Sequence, residues 1–173
     1  GARTHYYEGH GVRRVAHGVR TAAATGVKTM ILTNGAGGIK ETWKPGSPVL
    51  ISDHINLTSA SPLEGAKFVD LTDLYSTRLR AVAREVDPSL DDGVYVQFRG
   101  PQYETPAEVQ MAKVLGGDLS GITSIEAPRW VAPFTFPPVA TRSMPIVSWM
   151  FVSIAIFSFV PTPSVEVASS GRS

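Results

Sequence analysis

A chain of 173 residues, 43% of them apolar, is long enough to bury one core as a single domain. Its 16 basic and 15 acidic residues leave a net charge of +1, which excludes the basic field that draws proteins onto nucleic acid or anionic membranes and points to small molecules or copies of itself as partners. The absence of cysteine excludes a disulfide scaffold and thiolate metal sites and fits a cytoplasmic protein, and Gly1-Ala2-Arg3-Thr4-His5 is too polar for a signal peptide.

In chain order, Val12, Val15, Ala16, Val19, Ala22 and Ala23 recur at helical spacing among Arg13, Arg14 and Arg20, and Gly26 closes this predicted helix. Val27 to Leu32 reads as a short buried parallel strand, with the glycine-rich stretch after it as the turn at its C-terminal end. A second strand is predicted over Pro48 to Ser52, ending where Asp53-His54 turns the chain polar. Ser59 to Lys67 reads as a loop, and Leu74, Leu79, Val82 and Val86 outline a helix. Gly93 to Phe98 reads as another strand. The helix after it has a clear start, with Thr105 as N-cap, Pro106 at the first position and Glu108 completing a capping box, which places Tyr103 and Glu104 on a strand-to-helix loop. Strands alternating with helices predict an α/β fold, in which ligands gather at the C-terminal ends of strands.

From about Ser124 the character changes. Pro128, Pro133, Pro137, Pro138, Pro145, Pro161 and Pro163 interrupt the chain, and Ile146 to Val160 is an apolar run shorter than the roughly 20 residues that span a bilayer. Residues 1–124 are therefore expected to form the domain, and residues 125–173 a divergent, irregular tail, with a membrane anchor the weakest reading of the apolar run.

Three polar clusters carry the candidate chemistry. In Arg3-Thr4-His5-Tyr6-Tyr7-Glu8-Gly9, Arg3 offers a planar fork of donors and His5 a ring donor, a pairing that suits phosphate. Tyr7 can donate to a sugar hydroxyl and Glu8 can orient the His5 ring, although a solvated turn with a helix-start carboxylate accounts for the same residues. In Thr33-Asn34-Gly35-Ala36-Gly37-Gly38 the backbone is bare enough for N–H groups to meet an anion or a base, or the run is a tight turn; no Gly-Lys-Ser/Thr and no GxGxxG spacing follows. In Gly100-Pro101-Gln102-Tyr103-Glu104-Thr105, Glu104 can accept from the N–H edge of a heterocycle beside the Tyr103 ring, or it is a surface carboxylate favoured by the helix dipole. His10, His17 and His54 lack metal-ligand spacing and read as structural or exposed.

Together with Ser52-Asp53-His54-Ile55-Asn56-Leu57, these motifs, in this order from Arg3 to about Ser124, closely resemble the trimeric purine nucleoside phosphorylases. The resemblance implies a phosphorylase-type mixed β-sheet flanked by helices, incomplete at both ends, and phosphorolysis of inosine and guanosine, in ribo and deoxy forms, to free base and sugar 1-phosphate in purine salvage. It implies phosphate bound by Arg3, His5, the backbone N–H of Gly35 and Thr123, with Thr123 where the family carries Ser. Tyr7, Ala36, Gly37, Tyr103, Glu104 and Ile122 would contact the nucleoside, Ile122 standing where the family carries Met, and Glu104 and His5 would be the catalytic pair. It further implies a homotrimer, no metal, and no cofactor, since inorganic phosphate is a co-substrate.

The sequence also departs from that pattern. The family's glycine-rich phosphate loop, its purine-contacting Asn and its His near the ribose 5′-hydroxyl have no counterpart here, and no aromatic of Leu63–Phe68 is assigned to a neighbouring subunit's site. After Ser124-Ile125-Glu126-Ala127 the resemblance stops abruptly, as expected of a fragment whose end comes from a shifted reading frame or a mispredicted junction. Two alternatives follow: a catalytically silent remnant of the family, or a 5′-methylthioadenosine phosphorylase, which Glu104 disfavours.

Overall fold

The computed structural model describes residues 4–66, 68–122 and 150–158. A 3-10 turn over Tyr6–Glu8 leads into α1 (Val12–Val15) and α2 (His17–Ala24), followed by β1 (Thr29–Gly38), β2 (Pro48–Asn56), α3 (Thr77–Val86), β3 (Asp91–Gln97), α4 (Pro106–Val114), β4 (Leu119–Gly121) and β5 (Met150–Ser158). The strands join in the order β1-β4-β3-β2-β5, and β5 returns to β1, closing a small barrel. Pairing is mixed, as predicted. β2, β3 and β4 run parallel and β5 runs parallel to β2, but β1, whose apolar run was expected to form a parallel strand, is antiparallel to both its neighbours, β4 and β5.

Two apolar clusters hold this arrangement. Met30, Leu32, Ala36, Val49, Ile51, Tyr75, Tyr95 and Leu119 form one, while Ile39, Val96, Val109 and Ala112 seat α4 on the opposite face of the sheet. Tyr95 and Val96 are adjacent in β3 and both fully buried, so that strand is covered on both faces. Each buried aliphatic side chain of this kind contributes roughly 1.5–3 kcal/mol.

Several elements differ from the expectations. The N-terminal helix breaks at Ala16 into two pieces, a turn that lets Val15 and Ala16 both reach the interior, while Gly18 weakens helical continuity. Gly26 ends α2 as predicted, at φ +84°, a conformation open to glycine. The glycine run is not a turn. It is the second half of β1, because pairing to β5 along Thr29–Gly37 and to β4 at Gly37 and Gly38 gives its backbone partners that its missing side chains cannot supply. Likewise β2 continues past Ser52 to Asn56, since Asp53 to Asn56 pair with Val94 to Gln97 beyond a register shift. The three-residue β4 is too short to leave a periodic signal.

The largest correction lies in the tail. Residues 150–158, expected to be irregular, form β5, and Ile156 is buried in it. An apolar, β-branched and aromatic run suits a strand that is paired on both sides, and Val152 to Ile154 pair with β1 and β2 at once. Residues 125–149 and 159–173 lie outside the described residues.

Candidate active site

The third cluster is the best defined. Thr105 accepts from the Glu108 backbone N–H through its hydroxyl, Glu108 returns a bond to the Thr105 N–H at 2.7 Å, and Pro106 opens α4, so the predicted capping box is present. Because Glu108 satisfies the helix start, Glu104 is left for another role. It is not a surface carboxylate: only 9% of it is exposed, and its Oε1 is buried without a hydrogen-bond partner among the described residues. Burial pushes its carboxyl above the ordinary range, against a weaker pull from its own backbone N–H and with a small addition from Glu108. Tyr103 beside it is exposed.

The other two clusters are linked to the neighbourhood of this loop by different contacts. The Arg99 guanidinium, at the end of β3, lies 5.9 Å from the Tyr6 ring, which brings the N-terminal cluster to the Gly100–Thr105 loop. His5 and Tyr7 stack with ring centroids 4.8 Å apart, so the candidate phosphate and sugar ligands share one face. The Glu8 carboxylate accepts from the His5 backbone N–H at 2.6 Å, as a helix-start carboxylate does, and lies 3.9 Å from His10.

The glycine run joins through β4. Gly37 pairs with Ser120 and Gly38 with Leu119, so the end of the glycine run lies against β4. On the far side of β4, Gly121 accepts from the Phe98 N–H at 2.9 Å, and Ile122 packs against Gly100, 3.0 Å from where a Cβ there would lie. Ile122 therefore follows the strand that pairs with the glycine run and packs at the start of the Glu104 loop. Arg3 and Thr123 lie outside the described residues.

His54 is partly buried, with its Nδ1 3.0 Å from the Tyr75 hydroxyl; burial lowers its pKa more than Asp53 raises it, in keeping with a structural histidine. His10 and His17 are exposed. Among the described residues no group of three His, Asp or Glu side chains is placed to hold a metal. A cleft of about 450 Å³ lined by Trp43, Lys44, Pro88 and Asp91 lies at the N-terminal ends of β2 and β3 and contains none of the candidate residues.

Sequence reasoning missed Tyr95, Arg99 and Gly121. Their roles are set by contacts between strands and loops distant in sequence, and no local pattern marks them.

Residues 5–125 match the family model described as the phosphorylase superfamily. A purine nucleoside phosphorylase of Cellulomonas sp is 67% identical over 128 residues, 73% of this chain and 45% of that protein. One from Mycobacterium tuberculosis (strain ATCC 25618 / H37Rv) is 56% identical over 123 residues, 71% of this chain and 46% of that one. The solved structure of isoform 2 of the Schistosoma mansoni purine nucleoside phosphorylase, in complex with cytosine and ribose-1-phosphate, aligns over 89% of this chain and 55% of its own, with TM-score 0.68 and 26% identity. The chain spans about half the length of the curated relatives it matches.

Proposed function

The chain belongs to the phosphorylase superfamily, and from that premise we propose that it cleaves 6-oxopurine nucleosides with inorganic phosphate, releasing the free base and ribose or deoxyribose 1-phosphate. The observation that carries this reading is Glu104, a buried carboxyl with one oxygen lacking a partner among the described residues, on the strand-to-helix loop that follows β3. A buried polar atom of this kind is where a ligand N–H contributes most, and the N1–H of a 6-oxopurine has that character. A 6-aminopurine presents an acceptor at N1, so Glu104 discriminates against adenosine and 5′-methylthioadenosine.

In the reaction the C1′–N9 bond breaks, its electron pair leaves with the purine, and a phosphate oxygen bonds C1′ from the opposite face with inversion. The proton of hydrogen phosphate ends on the free base, so atoms and charge balance without a redox partner. Arg3, His5, the Gly35 amide and the Thr123 hydroxyl hold the phosphate against the developing positive sugar. Tyr7, Ala36, Gly37, Tyr103 and Ile122 line the nucleoside. Catalysis then rests on placement and electrostatics, with no cofactor in any step.

The assembly in this proposal is a homotrimer. Leu63, Phe68, Val69 and Leu71 expose apolar surface on one connecting segment, which suits cover by a second copy.

The test is base preference. Inosine and guanosine are expected to be cleaved far faster than adenosine, and Glu104→Ala to lower kcat/KM for inosine by about 100-fold or more. Equal turnover of inosine and adenosine, or an unaffected Glu104→Ala variant, would remove Glu104 from base recognition.

A further inference from the structure

Three strands converge on one buried hydroxyl beside the candidate site. Tyr95 of β3 is fully buried, and its hydroxyl accepts from the Asn34 side-chain amide of β1 at 3.1 Å, itself a buried group. Those strands are not neighbours, because β4 lies between them. The Tyr95 ring crosses β4 at Gly121, where a Cβ would stand 2.6 Å from the hydroxyl oxygen, and only a residue without a side chain leaves that path open. Asn34 directly precedes Gly35, and Gly121 directly precedes Ile122. The hydroxyl thus ties the segment proposed to meet phosphate to the segment proposed to lie under the sugar.

We propose that the Asn34–Tyr95 hydrogen bond, passing over Gly121, is a positioning device that fixes the backbone at Gly35 relative to Ile122 and so sets phosphate affinity. This inference rests on the function proposed above. A hydrogen bond between buried polar groups is strengthened by the low dielectric around it and costly to leave half made, so the bond holds one geometry where two flexible, side-chain-poor segments would otherwise drift. Gly35 and Ala36 have no side chain large enough to lock themselves, which gives Asn34 that task.

The experiment compares the wild-type chain with Tyr95→Phe, Gly121→Ala and the double variant, measuring kcat and the KM for phosphate and for inosine, with unfolding midpoints alongside. Tyr95→Phe is expected to raise the phosphate KM roughly tenfold while the inosine KM changes less than about twofold. Gly121→Ala is expected to raise it further, and the double variant to recover part of that loss, because without the hydroxyl the nearest ring atoms stand 3.4 and 3.6 Å from the new methyl group. A structural role alone would lower the unfolding midpoint and leave the phosphate KM where it was. If Gly121→Ala does not fold, Tyr95→Phe decides alone. An active wild type with an unchanged phosphate KM in Tyr95→Phe overturns this inference and spares the proposed function. A folded wild type without turnover overturns both.

Discussion

At the scale of single residues, Glu104 and His54 are two partly or wholly buried ionisable groups with opposite consequences for pH. Burial raises the Glu104 carboxyl above its ordinary value of 4.5, so in the window above 4.5 the folded chain keeps a proton that the unfolded chain has lost. Its contribution to stability is therefore greatest below that window and declines as pH rises through it. His54 is lowered from 6.5 by burial, so below 6.5 the unfolded chain takes up a proton that the fold resists, and stability declines as pH falls. Urea midpoints measured across this range should show the first slope vanish in Glu104→Gln and the second in His54→Gln. Slopes that persist in both variants would show that other groups set the pH dependence. Glu104 was legible in the sequence as a carboxylate beside the Tyr103 ring on a strand-to-helix loop, with a surface carboxylate at a helix start fitting the same residues. Its burial was not legible, since it depends on what packs over the loop.

At the scale of elements, the capping box at Thr105 and the α/β alternation could be read directly, because both are local patterns. The extent of β1 could not. A stretch of Gly35, Ala36, Gly37 and Gly38 carries no strand propensity, and only the two ladders beside it make it a strand. The same holds for β5, whose apolar composition fits a strand, a core segment or a short anchor until its partners are known. In β1 the side chains alternate, with Met30 and Leu32 buried and Ile31 60% exposed. Ile156→Ala in β5 should therefore lower the unfolding free energy by about 2–5 kcal/mol. Ile31→Ala should change it by only about 0.5 kcal/mol. Equal costs at the two positions in denaturant titrations would contradict the packing of β5 into the core.

At the scale of the whole molecule, β5 closes the barrel by pairing with β1 and β2, covering edges that would otherwise be open to another chain. The described surface also includes Phe68, 93% exposed, beside Val69 and Leu71. Sedimentation of the wild type at the mass of a trimer, and of Phe68→Ser as smaller species, is the outcome expected if copies of the chain cover that surface; an unchanged distribution would exclude Phe68 from the contact. No described helix is long and apolar enough to cross a membrane. The central claim is that the assembled clusters perform phosphorolysis, and the most direct measurement is release of hypoxanthine from inosine by the purified chain with and without inorganic phosphate. Release that requires phosphate and is matched mole for mole by ribose 1-phosphate is the predicted result. A folded chain that releases no hypoxanthine, or releases it equally without phosphate, would contradict the account.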